Sequence, residues 1–392
     1  MSVFAGREGP APTGAAPLPG TAAARVRRVK ARPARGAAVF ALALLAGAAA
    51  CGGGGDGGGG GGITPPPPTP ACSFTNPLAQ GADPWVVRDA GFYYLVQSRD
   101  NGIWVSKSST LTGVTQNQVR VWSAPATGWN RTNVWAPELH PIDGRWYIYY
   151  AAGSDGPPFV SQRSGVLESA GSDPMGPYTD RGMLFTGNGG PGSGNPNVWA
   201  IDVTVARIGT ELYAVWSGWE ANASIDRTPQ HLYAAHMSNP WTIDGPRGRI
   251  SSPVESWERG TELDLQEGPQ FLQRNGQTFI VYSTRESWLP DYRLGLLRLV
   301  GADPLNPASW VKTGPVFQAA GTVYGPGHAS FTTSPDGTQS WIVYHAKVAS
   351  APGWDRVIRA QPFTWNADGT PAFGTPVPSG QAIPRPSGEC TG

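Results

Sequence analysis

From residue 73 onward the chain alternates short apolar or aromatic runs with turn residues and shows almost no helical periodicity. Runs such as Trp85-Val86-Val87, Tyr147-Ile148-Tyr149-Tyr150 and Ile280-Val281-Tyr282 are β-branched and aromatic, the composition that suits a pleated strand. Turn signals separate them: Asp89-Ala90-Gly91, Asp143-Gly144, Asn275-Gly276 and Pro335-Asp336-Gly337. Such dipeptides supply the positive φ angles that a tight hairpin needs.

The runs recur in a larger unit. Five times a short segment holding one acid or histidine is followed by a turn and then an aromatic or β-rich strand. The segments are Ala82-Asp83-Pro84-Trp85, Trp135-Ala136-Pro137-Glu138-Leu139-His140, Trp199-Ala200-Ile201-Asp202-Val203, Glu267-Gly268-Pro269-Gln270 and Gly327-His328-Ala329-Ser330. Their anchors Asp83, Glu138, Asp202, Glu267 and His328 stand 55, 64, 65 and 61 residues apart. A period of this size made of strands predicts an all-β, five-bladed β-propeller, because each blade is a small antiparallel sheet that buries its faces only against its neighbours. In such a ring the inner strands begin around one end of the central channel, so the five anchors are expected to converge on one pocket.

The N-terminal part reads differently. Residues 1–50 form a leader in which Arg25, Arg27, Arg28, Lys30, Arg32 and Arg35 precede a 15-residue small-apolar stretch, Gly36 to Ala50, too short to span a bilayer comfortably. Cys51 follows directly. The order of basic region, apolar stretch and cysteine resembles a bacterial lipoprotein signal with Cys51 as the lipidated residue, while Ala48 and Ala50 equally suit an ordinary signal-peptidase cut. The chain is therefore expected to be exported, as an envelope lipoprotein or as a secreted protein. Residues 51–71, with ten glycines between positions 52 and 62 and then Pro65 to Pro68 and Pro70, can bury nothing and read as a tether. The propeller is assigned to residues 72–390. Setting Cys51 apart leaves Cys72 and Cys390 at the two ends of the ring, where a disulfide would clasp it in an oxidising compartment.

Charge and composition narrow the partners. The 392-residue chain has 29 Lys plus Arg against 28 Asp plus Glu, and six of the cations lie between Arg25 and Arg35, which leaves the propeller mildly acidic and argues against a nucleic-acid surface. Sixteen Trp and twelve Tyr are mostly expected in blade packing, with a minority free to stack on the C–H faces of sugars. Acids converging from different blades suit glycosidic-bond hydrolysis, in which one carboxyl protonates the leaving oxygen and another acts on water or the anomeric carbon.

The motifs, taken in order and continued by Arg356-Val357-Ile358-Arg359-Ala360-Gln361-Pro362-Phe363-Thr364-Trp365, resemble glycoside hydrolase family 43 over residues 76 to about 376. The resemblance implies an inverting mechanism with Asp83 as general base, Glu267 as general acid, and Asp202 tuning and orienting the acid. It also implies that Arg356 and Trp135 bind the sugar and that His328 supports the site, directly or through water and a cation (Ca²⁺ or Na⁺) in the channel; no cofactor is required. Trp85, two residues after the base, is a further candidate for the sugar face. Glu138 is left open between a structural hydrogen-bond partner and a substrate contact.

Within the family the chain is most similar to α-L-arabinofuranosidases, on Asn133 to His140, Trp216-Ser217-Gly218-Trp219-Glu220, Met237-Ser238-Asn239-Pro240-Trp241 and Tyr324 to His328. This implies a monomer that releases terminal arabinofuranose from plant cell-wall arabinan or arabinoxylan. The alternatives are a β-xylosidase, an endo-arabinanase, whose distinction rests on loops such as 153–192 closing the channel, and a carbohydrate-binding propeller without turnover.

Overall fold

A computed structural model of the chain describes residues 72–390. The leader and signal peptide (1–50), the lipidation site Cys51 and the tether (51–71) lie outside the described residues. Five antiparallel sheets follow one another along the chain. Blade I comprises Trp85–Asp89, Phe92–Arg99, Gly102–Ser108 and Val119–Ser123; blade II comprises Thr132–Ile142, Arg145–Gly153, Arg163–Ser169 and Tyr178–Met183. Blade III is built on Ala200–Ile208, Glu211–Gly218 and His231–Asn239, with Thr242–Ile243 and Gly248–Ser251 at its outer edge. Blade IV holds Gln266–Arg274, Gln277–Thr284, Arg293–Leu299 and Trp310–Phe317. Blade V holds Tyr324–Thr333, Ser340–Lys347 and Arg356–Trp365. Among the described residues the only helix is the 3-10 turn Pro307–Ser309.

The turns form where the sequence places them. Ala90 and Gly91, Asp143 and Gly144, and Asn275 and Gly276 all have positive φ, between 46° and 84°, the paired left-handed residues of a two-residue hairpin turn whose twist matches its strands. Residues 153–192 are not one blocking loop. They contain two strands of blade II, Arg163–Ser169 and Tyr178–Met183, because their alternating side chains complete the sheet that Arg145–Gly153 leaves open.

The apolar side chains collect at the five junctions between blades. Tyr94, Val96 and Val105 of blade I meet Leu139, Ile148 and Tyr150 of blade II, and Tyr149 and Val166 of blade II meet Ala214, Trp216 and Tyr233 of blade III. Val215 and Leu232 face Ile280 and Tyr282 between blades III and IV, Phe279 and Leu294 face Ile342 and Tyr344 between IV and V, and Tyr93 and Leu95 face Trp341 and Ile358 between V and I. Each blade thus lacks a core of its own and depends on both neighbours, so the ring must be closed.

Closure uses the N-terminal segment. Ala79–Gln80 pairs with Val357 and Ile358 as the outermost strand of blade V, Ser73–Thr75 pairs with Ala382–Pro384, and Cys72 is disulfide-bonded to Cys390 across 318 residues of sequence. A crosslink over so long a loop restricts the unfolded chain strongly. Replacing both cysteines by serine is expected to cost about 2–4 kcal/mol, measured as a lower urea midpoint; an unchanged midpoint would show that strand pairing alone holds the ends.

Candidate active site

Each inner strand opens with a kink that aims side chains into the channel. Asp83, Ala136, Asp202, Gly268 and His328 occupy the same place in the five blades and take φ of 49°, 41°, 56°, 52° and 46°. In blades II to V the ladder slips at that point, between Trp135 and Glu138, Ile201 and Thr204, Glu267 and Gln270, and Gly327 and Ser330. A bulge of this kind bends the strand and re-aims the side chains beyond it. Asp and His tolerate the left-handed region better than most residues, and Gly adopts it freely.

The true repeat therefore differs from the expected anchors. Ala136 and Gly268, which carry no functional group, are the equivalents of Asp83, Asp202 and His328. Glu267 stands one residue before the kink and Glu138 two residues after it, so the two glutamates lie at different depths. Glu138 is buried and sits within 2.9 Å of His140 Nε2, and it also accepts from the Gln270 side-chain amide. Burial pushes its carboxyl well up and pulls His140 down to about 3, which leaves the imidazole neutral at ordinary pH. These contacts tie the inner strand of blade II to that of blade IV.

Asp83 is the most heavily surrounded acid. His328 Nδ1 lies 3.3 Å, His345 Nδ1 3.1 Å and Arg356 Nη1 3.3 Å from its Oδ1, and its backbone N–H donates to His345 Nδ1 at 3.2 Å. Burial alone would raise its pKa, but His328, Arg356 and His345 outweigh it and hold the carboxyl well below the usual carboxylate range. Burial pulls His345 down to about 4 and lowers His328, leaving the Arg356 guanidinium as the lasting positive charge beside the carboxylate. The Asp83 side chain is still 21% exposed, enough for water to reach it.

Glu267 has the opposite setting. Burial pushes it up to about 7, against a hydrogen bond from Tyr292 and with a contribution from the Asp83 charge. The Tyr292 hydroxyl donates to Glu267 Oε1 at 2.8 Å. Asp202, also buried, is raised well above the usual carboxylate range by burial and by the charges of Glu267 and Asp83. Its Oδ2 accepts the Gly268 N–H at 2.9 Å, tying it to the backbone next to Glu267. One carboxyl held ionised beside another held protonated is the electrostatic division of labour that acid and base catalysis requires.

Contacts join the two halves. The Tyr292 ring stacks on His345 with centroids 5.5 Å apart and planes at 10°, linking the Glu267 side to the Asp83 side. A Cβ on Gly327 would collide with that tyrosine ring, so glycine is required there. The His328 backbone N–H donates to Ser283 Oγ at 2.8 Å, which fixes its strand. Tyr292, His345 and Ser283 are not legible in the sequence. His345 lies in the run Trp341-Ile342-Val343-Tyr344-His345-Ala346, where its one signal is a titratable group in a wholly buried strand, and Tyr292 lies outside the repeat.

The remaining candidates separate. Trp135 precedes Ala136 as Glu267 precedes Gly268, and its partly buried ring meets Phe159 edge-on at 5.0 Å, beside the Trp199–Trp219 stack. Trp85 is turned to packing: its indole N–H donates to the Leu139 carbonyl at 2.8 Å and its ring rests on His140 at 4.5 Å. His328 reaches Asp83 directly, and among the described residues no three His, Cys, Asp or Glu side chains are grouped to hold a metal ion.

The fold and pocket together define a five-bladed propeller with a carboxylate site at its axis. The sequence profile of glycosyl hydrolases family 43 matches residues 74–371, and the chain belongs to that family. It is 37% identical over 328 residues to an extracellular exo-α-(1→5)-L-arabinofuranosidase of Streptomyces avermitilis and, over the same length, to α-L-arabinofuranosidase 43 of Humicola insolens. Each alignment covers 80% of this chain and 65% of the relative, so the chain spans just under two thirds of those proteins' length. The crystal structure of an α-L-arabinofuranosidase from Lactobacillus brevis is similar with a TM-score of 0.71 and 34% identity, over 79% of this chain and 98% of that one.

Proposed function

We propose that the protein is an exported, exo-acting α-L-arabinofuranosidase that removes terminal arabinofuranose from arabinan or arabinoxylan with inversion. The observation that carries the chemistry is the pairing in one pocket of Asp83, held ionised beside the Arg356 guanidinium, with Glu267, held protonated up to about 7. Asp83 takes a proton from a water that attacks the anomeric carbon. The glycosidic C–O bond breaks as Glu267 gives its proton to the leaving oxygen. Asp202 anchors the backbone beside the acid through Gly268 and, sharing the buried site with Glu267, tunes and orients it. Arg356 and Trp135 hold the sugar at the mouth. The arabinose reading, exo action and export are supported by the relatives named for them, and a lipid anchor at Cys51 belongs to the same proposal.

The purified protein is expected to cleave nitrophenyl α-L-arabinofuranoside in preference to the β-D-xyloside, to release free arabinose from linear arabinan, and to yield the inverted anomer by NMR. Xyloside activity alone would overturn the arabinose assignment, shortened oligomers without arabinose would indicate endo action, and binding without turnover would make the propeller a lectin.

A further inference from the structure

Two loops meet at the rim of the pocket and carry an aromatic pair outside the catalytic set. Residues 348–355 join the second and third strands of blade V, and residues 285–292 join the corresponding strands of blade IV. Trp354 is 62% exposed, more than any other large apolar side chain among the described residues, and its ring lies 5.3 Å from that of Trp288. The loops are tied together, since the Gly353 N–H donates to the Trp288 carbonyl at 2.9 Å and Lys347 Nζ donates to the Gly353 carbonyl.

Both rings are wired to the reacting groups. The Arg356 guanidinium lies 5.5 Å from the Trp354 ring centroid while its Nη1 contacts Asp83. Trp288 packs against the group formed by Leu263, Leu265 and Tyr292, and Tyr292 donates to Glu267. Its other neighbour is Arg227, 4.6 Å from the ring centroid. An exposed indole backed by a second indole and a guanidinium is held in place at little entropic cost, and ordering a large apolar ring in water without a ligand needs an explanation of this kind.

We infer that Trp354, supported by Trp288, forms the subsite for the sugar on the leaving side of the scissile bond. The direction follows from Glu267: the acid protonates the leaving oxygen, so the next sugar of the chain lies on the Glu267 and Tyr292 side, where Trp288 is packed. The flat C–H face of that sugar stacks on the free face of Trp354. This proposal rests on the arabinofuranosidase reading of the site and extends it to the polymer.

The test compares Trp354→Ala with wild type on α-L-arabinofuranosyl fluoride, which has no leaving sugar, and on arabinotriose. The loss of kcat/KM is expected to be about tenfold greater on arabinotriose than on the fluoride, carried mainly by KM, and Trp354→Phe should recover most of it because the ring is restored. Equal losses on both substrates, or none on arabinotriose, would overturn the subsite. A wild-type protein inert on both arabinosides but active on a xyloside would instead remove the functional reading, an outcome distinct from the first because it appears before any substitution is made.

Discussion

Replacing Glu267 by Gln is expected to lower kcat on arabino-oligosaccharides by at least about 10²-fold, the usual contribution of a positioned acid. Gln keeps the shape and can still accept the Tyr292 hydroxyl hydrogen bond seen at 2.8 Å, so the fold and the pocket should survive. It lacks a proton acidic enough to pass to the leaving oxygen. The loss should be much smaller on a nitrophenyl glycoside, whose leaving group is stable as an anion and needs little protonation. The wild-type pH profile supplies a second readout. Glu267 works in its protonated form, and its pKa lies at about 7, so kcat/KM should be full below that value and fall as pH rises through it. The variant should lose this alkaline limb. A variant with wild-type turnover, or a wild-type rate flat between about pH 5 and 9 (roughly two units either side of the pKa), would sink the assignment.

Asp83→Asn should be nearly as damaging, with kcat reduced by about 10²–10⁴-fold on every substrate, the nitrophenyl glycoside included, because water must be activated whatever the leaving group. The choice of Asn matters. Asp83 has φ 49°, a left-handed position where Asn is among the most tolerant residues and Ala is strained, so Asn changes the charge while keeping the backbone. It also leaves Arg356 without the carboxylate it faces, and KM is therefore expected to move less than kcat but not to stay fixed. Because the carboxyl is held far below the usual range by its neighbours, wild-type activity should persist into acid until the fold itself fails. The contrast between the two variants identifies the roles: the leaving-group dependence belongs to Glu267 and the uniform loss to Asp83. A folded Asp83→Asn protein that retains its rate would falsify the base.

Several of these residues are legible in the sequence. Asp83, Asp202 and His328 stand at kinks, and a polar residue repeating at strand starts with a turn behind it is a local pattern. Glu267 is recognisable through its Gly268-Pro269 context, although its true place is one residue ahead of the kink, with Gly268 filling the repeated position. Counting Glu138 as an equal anchor errs for the same reason: in an inner strand two residues of translation move a side chain to the next layer of the channel on the same face. Spacing along the chain does not register depth.

Tyr292, His345 and the Trp288–Trp354 pair lie in loops or middle strands of blades IV and V, far in sequence from the acids they serve. Their roles depend on which loops share a rim and which rings stack across a blade junction. The sequence alone determined the five-fold β repeat, its hairpin turns and the closing cysteine pair, because alternation, turn chemistry and residue type act over a few neighbouring positions. Only the tertiary structure decided which acid is kept ionised and which protonated, how deep each lies and what stands beside it, because burial and Coulomb interactions depend on distance in space and are set when the ring closes.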